Sequence, residues 1–291
     1  MLQVSTHAVQ SGDVTLHVDD VGEGDPVVLL HGFPELAHSW RYQTPALVDA
    51  GYRSIAFDQR GCGTASKPEH VDAYRLECLV DDVIAVLDSR GIDAATLIGH
   101  DWGSIVMWTT AVLHPDRVRR LVSLNVPYRG ACEGFPTTDV IRDQLARRFS
   151  YILRFLDGDA AERDFAADPA KWLKAFYHSA AKDRDFMSNE DFETYLRSFV
   201  EGGITGPVSW YRNIDRNARD LVDHLGATIE QPTLLIAADA DPVLPLSLID
   251  GMERWVPDLT TVVIEDCGHW TQQERPDQVN AELLAWLGAR N

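Results

Sequence analysis

Leu97-Ile98-Gly99-His100-Asp101-Trp102-Gly103 decides how the rest of the chain is read. The apolar run from Ala95 to Ile98 drives into a Gly-x-Asp-x-Gly turn, and an amphipathic helical pattern starts directly after it. That is a strand, a very tight turn and a helix. Glycines at Gly99 and Gly103 let the flanking backbones pack closely around a central residue held in strained geometry. Asp101 stands at the apex. A carboxylate in that position can attack a saturated, electrophilic carbon and form an alkyl ester.

Upstream, Thr6 to Gln10 and Val14 to Val18 alternate and are split by Ser11-Gly12-Asp13, which predicts a β-hairpin. Pro26 to Leu30 is a continuous apolar run, as expected of a strand buried on both faces of a parallel sheet. A helix is expected from Ser39 to Ala50, N-capped by Ser39, then a strand from Ser54 to Phe57. Leu76, Leu79, Val80, Val83, Ile84 and Leu87 recur at helical spacing, and Gly91 closes that helix. Downstream of the opening stretch, Val118 to Val126 reads as a further strand. The alternation predicts an α/β fold, a mostly parallel sheet with helices on both faces.

The alternation stops at Pro127. From there to about Leu225 the chain is rich in aromatics and helix formers, with helices expected near Asp139 to Tyr151, Pro169 to Ser179 and Asn189 to Val200. This segment reads as an inserted helical cap. The core resumes with the strand Thr233 to Ala237, a short helix from about Leu246 to Trp255, a last strand from Thr260 to Ile264, and a closing helix marked by Val279, Leu283 and Leu287. Core is therefore assigned to 1–126 and 226–291, and cap to 127–225.

Composition narrows the function. A chain of 291 residues with 45% hydrophobic content and a formal net charge of -19 is an ordinary globular protein that lacks the cationic surplus nucleic acids or anionic membranes require. Cys62, Cys78, Cys132 and Cys267 are scattered without metal-ligand or redox spacing, so no metal site is expected. The start lacks a signal-peptide pattern and no apolar run reaches membrane-span length, which predicts a cytoplasmic location. A homodimer is one compatible assembly.

In an open α/β sheet the site forms beyond the carboxyl ends of the strands. Asp101, Asp241 and His269 stand at such ends in the order nucleophile, acid, base, with Asp239 the rival for the acid. The chain also carries His31-Gly32-Phe33-Pro34-Glu35, Ser39-Trp40-Arg41-Tyr42-Gln43, Asp58-Gln59-Arg60-Gly61-x-Gly63 and Asp266-Cys267-Gly268-His269-Trp270. With the Asp101 stretch, these blocks resemble soluble epoxide hydrolases of the α/β-hydrolase superfamily, whose lipase and esterase members place Ser where Asp101 stands.

The resemblance implies the α/β-hydrolase fold and conversion of epoxides to vicinal diols through an ester on Asp101. His269, oriented by Asp241, would then activate water for hydrolysis. It also implies that Tyr151 and Tyr211 polarise the epoxide oxygen and that the N–H groups of Phe33 and Trp102 form the oxyanion hole. Trp102, Trp210 and Trp270 are expected to contact substrate, a small apolar epoxide, and no cofactor is implied. Haloalkane dehalogenases share the Asp101 block but often carry Asn where Phe33 stands, and a haloalkane or haloacid dehalogenase remains the alternative. A non-catalytic small-molecule receptor on the same fold is the alternative from another class.

Remaining residues have structural expectations. His31 braces its loop through hydrogen bonds, His100 packs under the turn, Glu35 holds a water or buttresses the loop, Asp58 and Arg60 form an ion pair or loop brace, and Tyr177 and Tyr195 pack. An apolar pocket is expected from among Trp172, Phe176, Tyr177, Phe186, Phe199 and Trp210. Cys62, if exposed, would make the enzyme sensitive to thiol reagents, and Ser104 implies local repacking beside the turn.

Overall fold

The computed structural model describes residues 4–130, 136–224 and 226–290; Cys132 and Leu225 lie outside the described residues. Eight strands form one sheet: β1 (Val4–Ser11), β2 (Val14–Val21), β3 (Asp25–Leu30), β4 (Tyr52–Phe57), β5 (Ala95–His100), β6 (Val118–Leu124), β7 (Thr233–Ala238) and β8 (Leu259–Ile264). Their spatial order is β1-β2-β4-β3-β5-β6-β7-β8. β2 pairs antiparallel with both β1 and β4, and every other pairing is parallel.

The central strands read as unbroken apolar runs because both of their faces are covered. Val28 and Leu30 join a core layer with Val83 and Leu87 of α2 (Leu76–Ser89) and Val106 and Met107 of α3 (Trp102–Leu113). Val27 and Leu29, pointing the other way, meet Leu47 of α1 (Gln43–Asp49) and Val279, Leu283 and Leu287 of the closing helix, Pro276–Gly288. The period-two alternation of a strand thus sorts one apolar run into two cores.

Between β6 and β7 the described residues contain helices and no strand. These are α4 (Thr138–Val140, running into a π-helical turn over Ile141–Leu145), α5 (Ser150–Phe155), α6 (Ala160–Ala167), α7 (Pro169–Ala180), α8 (Asn189–Gly202), α9 (Thr205–Arg212) and α10 (Ile214–Asp220). α7 starts where the sequence says it should. Asp168 Oδ1 accepts from Lys171 N at 3.0 Å and Pro169 fills the first helical position, where a missing N–H costs nothing. Ser188 caps α8 in the same way, its Oγ accepting from Asp191 N at 3.1 Å. Ile152, Phe155, Phe199, Val208 and Trp210 share a core cluster with Leu30 and Phe33, so these helices pack directly onto the strand ends.

Three expectations are corrected. The helix foreseen from Ser39 starts at Gln43, after a 3-10 turn over Ala37–Trp40, and Ser39 caps nothing. Pro45 explains it: inside a helix begun at Ser39 its ring would strike the carbonyl of Arg41, whereas in the first turn of α1 it is harmless. The helix foreseen over Leu246 to Trp255 is two 3-10 turns, Leu246–Leu248 and Met252–Arg254, divided by Gly251 at φ +85°. The helix foreseen over Asp139 to Tyr151 opens at residues 146–149, which present Arg147 and Arg148 to solvent.

Candidate active site

Each strand end contributes one part. β5 delivers Asp101 at φ +50°, a left-handed conformation that costs a non-glycine residue about 1–2 kcal/mol and is held by its surroundings. A side chain on Gly103 would strike the Leu30 carbonyl, and one on Gly99 would strike the backbone of Gly103. The close approach foreseen for those glycines is therefore what the turn requires.

Beyond β3, the loop His31-Gly32-Phe33-Pro34 passes over Asp101. Gly32 has no room for a Cβ against the Asp101 side chain, the Phe33–Pro34 bond is cis, and Phe33 N donates to Asp101 Oδ1 at 2.9 Å. Glu35 ties this loop down from a fully buried position. Its carboxylate accepts from Gly32 N at 2.8 Å, from Gln272 Nε2 at 2.8 Å and from Gln273 Nε2 at 2.9 Å, and lies 2.7 Å from His100 Nδ1. Burial, the largest influence, would raise its pKa, but His100, the Gly32 N–H and His31 together hold it below the ordinary carboxylate value. His100 Nε2 in turn sits 2.8 Å from the His269 carbonyl. His31 lies 2.9 Å, through Nε2, from Gln59 N.

The loop after β8 carries His269, 3% exposed, with Nδ1 at 2.8 Å from Asp241 Oδ2 and Nε2 at 3.6 Å from Asp101 Oδ2. Asp239 is elsewhere, its Oδ1 accepting from Cys267 N at 3.2 Å. Asp241 also accepts from Val243 N, Leu244 N and Asn125 Nδ2 at 2.7, 3.0 and 2.8 Å. Burial pushes its pKa up, and His269 together with these donors brings it below the usual value. For His269, burial disfavours the cation, but Asp241 and Asp101 reverse the balance and hold its pKa well above that of a free imidazole.

From the helical segment, Tyr151 of α5 and Tyr211 of α9 face Asp101 across a cavity of about 340 Å³. Its wall also includes Phe33, Phe176, Val243, His269 and Trp270. The two tyrosine rings cross edge to face at 6.0 Å, and burial, with the neighbouring Asp101 charge, raises both phenol pKa values. Both hydroxyls therefore keep their protons at neutral pH.

The chain matches the family model of the alpha/beta hydrolase fold over residues 25–276. It is 38% identical to epoxide hydrolase A of Mycobacterium tuberculosis, with 96% of each chain covered. It is also 35% identical to bifunctional epoxide hydrolase 2 of Rattus norvegicus over 94% of this chain, but spans only 53% of that longer protein. The solved structure of epoxide hydrolase A from Mycobacterium thermoresistibile superposes with a TM-score of 0.91 at 37% identity, covering 98% of both chains. The chain belongs to the epoxide hydrolases of the α/β-hydrolase superfamily.

Not every residue expected at this epoxide hydrolase's site stands there. Of the three tryptophans, Trp270 reaches the cavity wall and Trp102 and Trp210 do not. Trp210 is fully buried with Nε1 donating to the Arg60 carbonyl at 3.2 Å, and its ring lies 5.9 Å from that of Trp102. A helix turns about 100° per residue, so α9 gives Tyr211 to the cavity and Trp210 to the core behind it. Trp102 meets Tyr211 edge-on at 5.0 Å and so backs that phenol. Among the expected pocket aromatics only Phe176 is in the wall. Tyr177 and Tyr195 are buried packing residues, the former donating to the Pro34 carbonyl at 2.5 Å.

Two loop expectations change as well. Arg60 pairs with buried Asp82 at 2.6 Å, not with Asp58, which serves instead as the expected loop brace, accepting from Ala37 N and Thr64 N at 2.9 Å each. Cys62 is buried, and burial pushes its thiol pKa well up, so the expected sensitivity to thiol reagents has no basis there. Ser104 accepts from Ser123 Oγ at 2.9 Å beneath the turn. Among the described residues no helix is long and apolar enough to cross a membrane.

Sequence reading missed Asn125. It follows β6 directly at φ +68° and donates through Nδ2 to Asp241 Oδ2 and to the His269 carbonyl, at 2.8 and 2.9 Å, while its Oδ1 accepts from Thr271. The available signal was its type and place, since Asn tolerates left-handed backbone and polar residues at strand ends serve this site. Asn125→Ala leaves a buried carboxylate and carbonyl short of a donor, at about 1–3 kcal/mol. Thermal denaturation is expected to show a melting point lowered by roughly 2–6 °C.

Proposed function

We propose that this epoxide hydrolase works in two half-reactions, with residues 127–225 as the cap that supplies the acid and the sheet domain the nucleophile and base. Asp101 Oδ2 attacks an epoxide carbon as the C–O bond breaks on the opposite side. Tyr151 and Tyr211 hold the oxygen and one of them gives it a proton. The product of this step is a hydroxyalkyl ester of Asp101. His269 then removes a proton from water, which attacks Cγ of the ester. Negative charge develops on Oδ1, against Phe33 N–H and the Trp102 N–H at the start of α3. Collapse releases the diol, whose second oxygen takes the proton from His269, while the remaining water proton returns to the tyrosinate. Epoxide and one water are consumed.

The observation that carries this reading is the division of labour on the Asp101 carboxylate. Oδ1 already holds the Phe33 donor, and Oδ2 lies on the His269 side. Charging also works in its favour. Esterification removes the Asp101 charge, one of the two carboxylates that sustain the His269 cation, so the imidazole becomes a base when a base is needed. A dehalogenase would have no use for two protonated phenols over the nucleophile, because a halide leaves without a proton.

The phenols are tested by Tyr151→Phe and Tyr211→Phe. The double variant is expected to lose roughly three orders of magnitude in the rate of ester formation, the range of general acid catalysis. Hydrolysis of a preformed ester should change little. Rapid-quench measurement of the two steps separates them, and a double variant that still forms ester at the parent rate would remove both phenols from the mechanism.

A further inference from the structure

Away from the cavity, one guanidinium joins the two helices that carry the phenols. Arg212 ends α9 directly after Tyr211. Its Nη1 and Nη2 donate to the two carboxylate oxygens of Glu162 on α6, both at 2.8 Å. Nε donates to the Phe155 carbonyl at 3.1 Å, and Nη2 also to the Gly158 carbonyl at 2.6 Å. The last carbonyls of a helix have no partner within it, and Phe155 is the last residue of α5, so Arg212 supplies a donor that this end lacks. The Arg212 and Glu162 side chains are only 14% and 23% exposed, which shields the pair from most of the solvent screening that weakens a surface ion pair.

A helix turns about 100° per residue, so α9 aims the Tyr211 phenol into the cavity and the next side chain toward the end of α5. On α5, Tyr151 stands one turn before Phe155, whose ring meets those of Tyr151 and Tyr211 at 5.5 and 5.0 Å. Tyr151, Phe155, Arg212 and Tyr211 thus close a circuit, the phenols on its cavity side and the guanidinium behind. α5 has six residues and follows the open stretch 146–149. A helix so short has little stability of its own, and the place of Tyr151 depends on what grips the other end. α9 is the firmer partner. Besides the Trp210 bond to the Arg60 carbonyl, its Gly206 lies so close to Gly61 that a Cβ on either would strike the other's backbone.

We infer that Arg212, aligned by Glu162, is the positioning residue of the acid pair: it holds Tyr151 to Tyr211 at the spacing at which both hydroxyls reach one epoxide oxygen. The planar fork of arginine suits the task, because it serves a carboxylate and two carbonyls in fixed directions, whereas a lysine ammonium is a point charge on a flexible stem. The spacing matters because a misplacement of about 1 Å in a catalytic constellation costs about 10²-fold in rate. This inference rests on the two-phenol reading and adds what assembles the pair.

The test measures ester formation and ester hydrolysis separately by rapid quench. Arg212→Met is expected to slow ester formation by about 10- to 100-fold and to leave hydrolysis of preformed ester within about twofold of the parent. Arg212→Lys keeps the charge opposite Glu162 without the fork and should fall between parent and methionine variant; it decides the matter if the methionine variant does not fold. Arg154→Met removes another ion pair between α5 and α6, to Asp164 at 2.7 Å, without touching α9, and should leave both steps unchanged. With Tyr151 and Tyr211 both replaced by phenylalanine, adding Arg212→Met should slow ester formation by less than about twofold, since its effect runs through the phenols. Parent-rate ester formation in the Arg212 variants, equal slowing of the two steps, an equal loss in Arg154→Met, or a loss that persists in full without the phenols overturns the inference and leaves the two-phenol reading standing. Parent-rate ester formation by the double phenylalanine variant would overturn both.

Discussion

Asp101→Ala is expected to abolish epoxide turnover, with kcat/KM falling by roughly four to six orders of magnitude, as when the nucleophile of a covalent catalyst is removed. The size follows from what remains. Tyr151, Tyr211 and His269 would still surround the substrate, but none is placed to attack a saturated carbon in line with the leaving oxygen. Phe33 N–H would lose its acceptor. Alanine at φ +50° is less well accommodated than aspartate, so some stability is lost with the nucleophile. A melting curve therefore accompanies the assay: a folded variant without diol formation supports the assignment. A folded variant that still makes diol from styrene-type and aliphatic epoxides at the parent rate would overturn it.

How far such a site is legible depends on which force placed each residue. β3, β5 and β7 announce themselves because strands buried on both faces are uninterrupted apolar runs. The turn at Gly99 to Gly103 does so because only glycine leaves the space its neighbours need. Once those strands are known, the topology puts Asp101, Asp241 and His269 on one edge, since the carboxyl ends of parallel strands converge. The helical segment is harder. α6, α9 and α10 are seven or eight residues long, about two turns each and too short for a helical period to stand out from its surroundings, so they escaped notice, and the orientation of Trp210 against Tyr211 depends on a helix that was not foreseen.

The connecting network was hidden for another reason. Asn125, Gln272, Gln273 and Glu274 look like ordinary polar residues at element ends, and only the tertiary fold joins them. Glu274 accepts from Gly268 N and Trp270 N at 3.1 Å and from Lys182 N and Asp183 N at 2.9 Å, tying the loop of His269 to the end of α7. Asp241 and Asp239 are two residues apart on one strand end, so spacing alone does not decide between them. The deciding contact is the 2.8 Å from Asp241 Oδ2 to His269 Nδ1.

Replacing His269 separates the two half-reactions. In His269→Gln, Asp101 keeps its attack and the phenols keep their protons, but nothing deprotonates water. Epoxide should be consumed to one equivalent per enzyme without diol release. Mass spectrometry should then find the tryptic peptide containing Asp101 heavier by the mass of one substrate. Steady-state turnover should drop by roughly 10³-fold or more, within the range for loss of a general base.

The same residue sets the pH dependence. Ester formation needs protonated phenols, and the phenol pKa values lie above their ordinary value near 10, so this step should show no alkaline fall up to about pH 9. Ester hydrolysis needs His269 neutral. Its pKa is raised by Asp241 and Asp101 in the free enzyme, and only the Asp241 part persists in the ester. Hydrolysis should therefore slow as pH falls through the imidazole pKa of the ester form and level off above it. Ester should accumulate in the intact enzyme at low pH and disappear on raising it. A His269→Gln enzyme that releases diol continuously, or that consumes epoxide without any adduct on the Asp101 peptide, would overturn the two-step scheme.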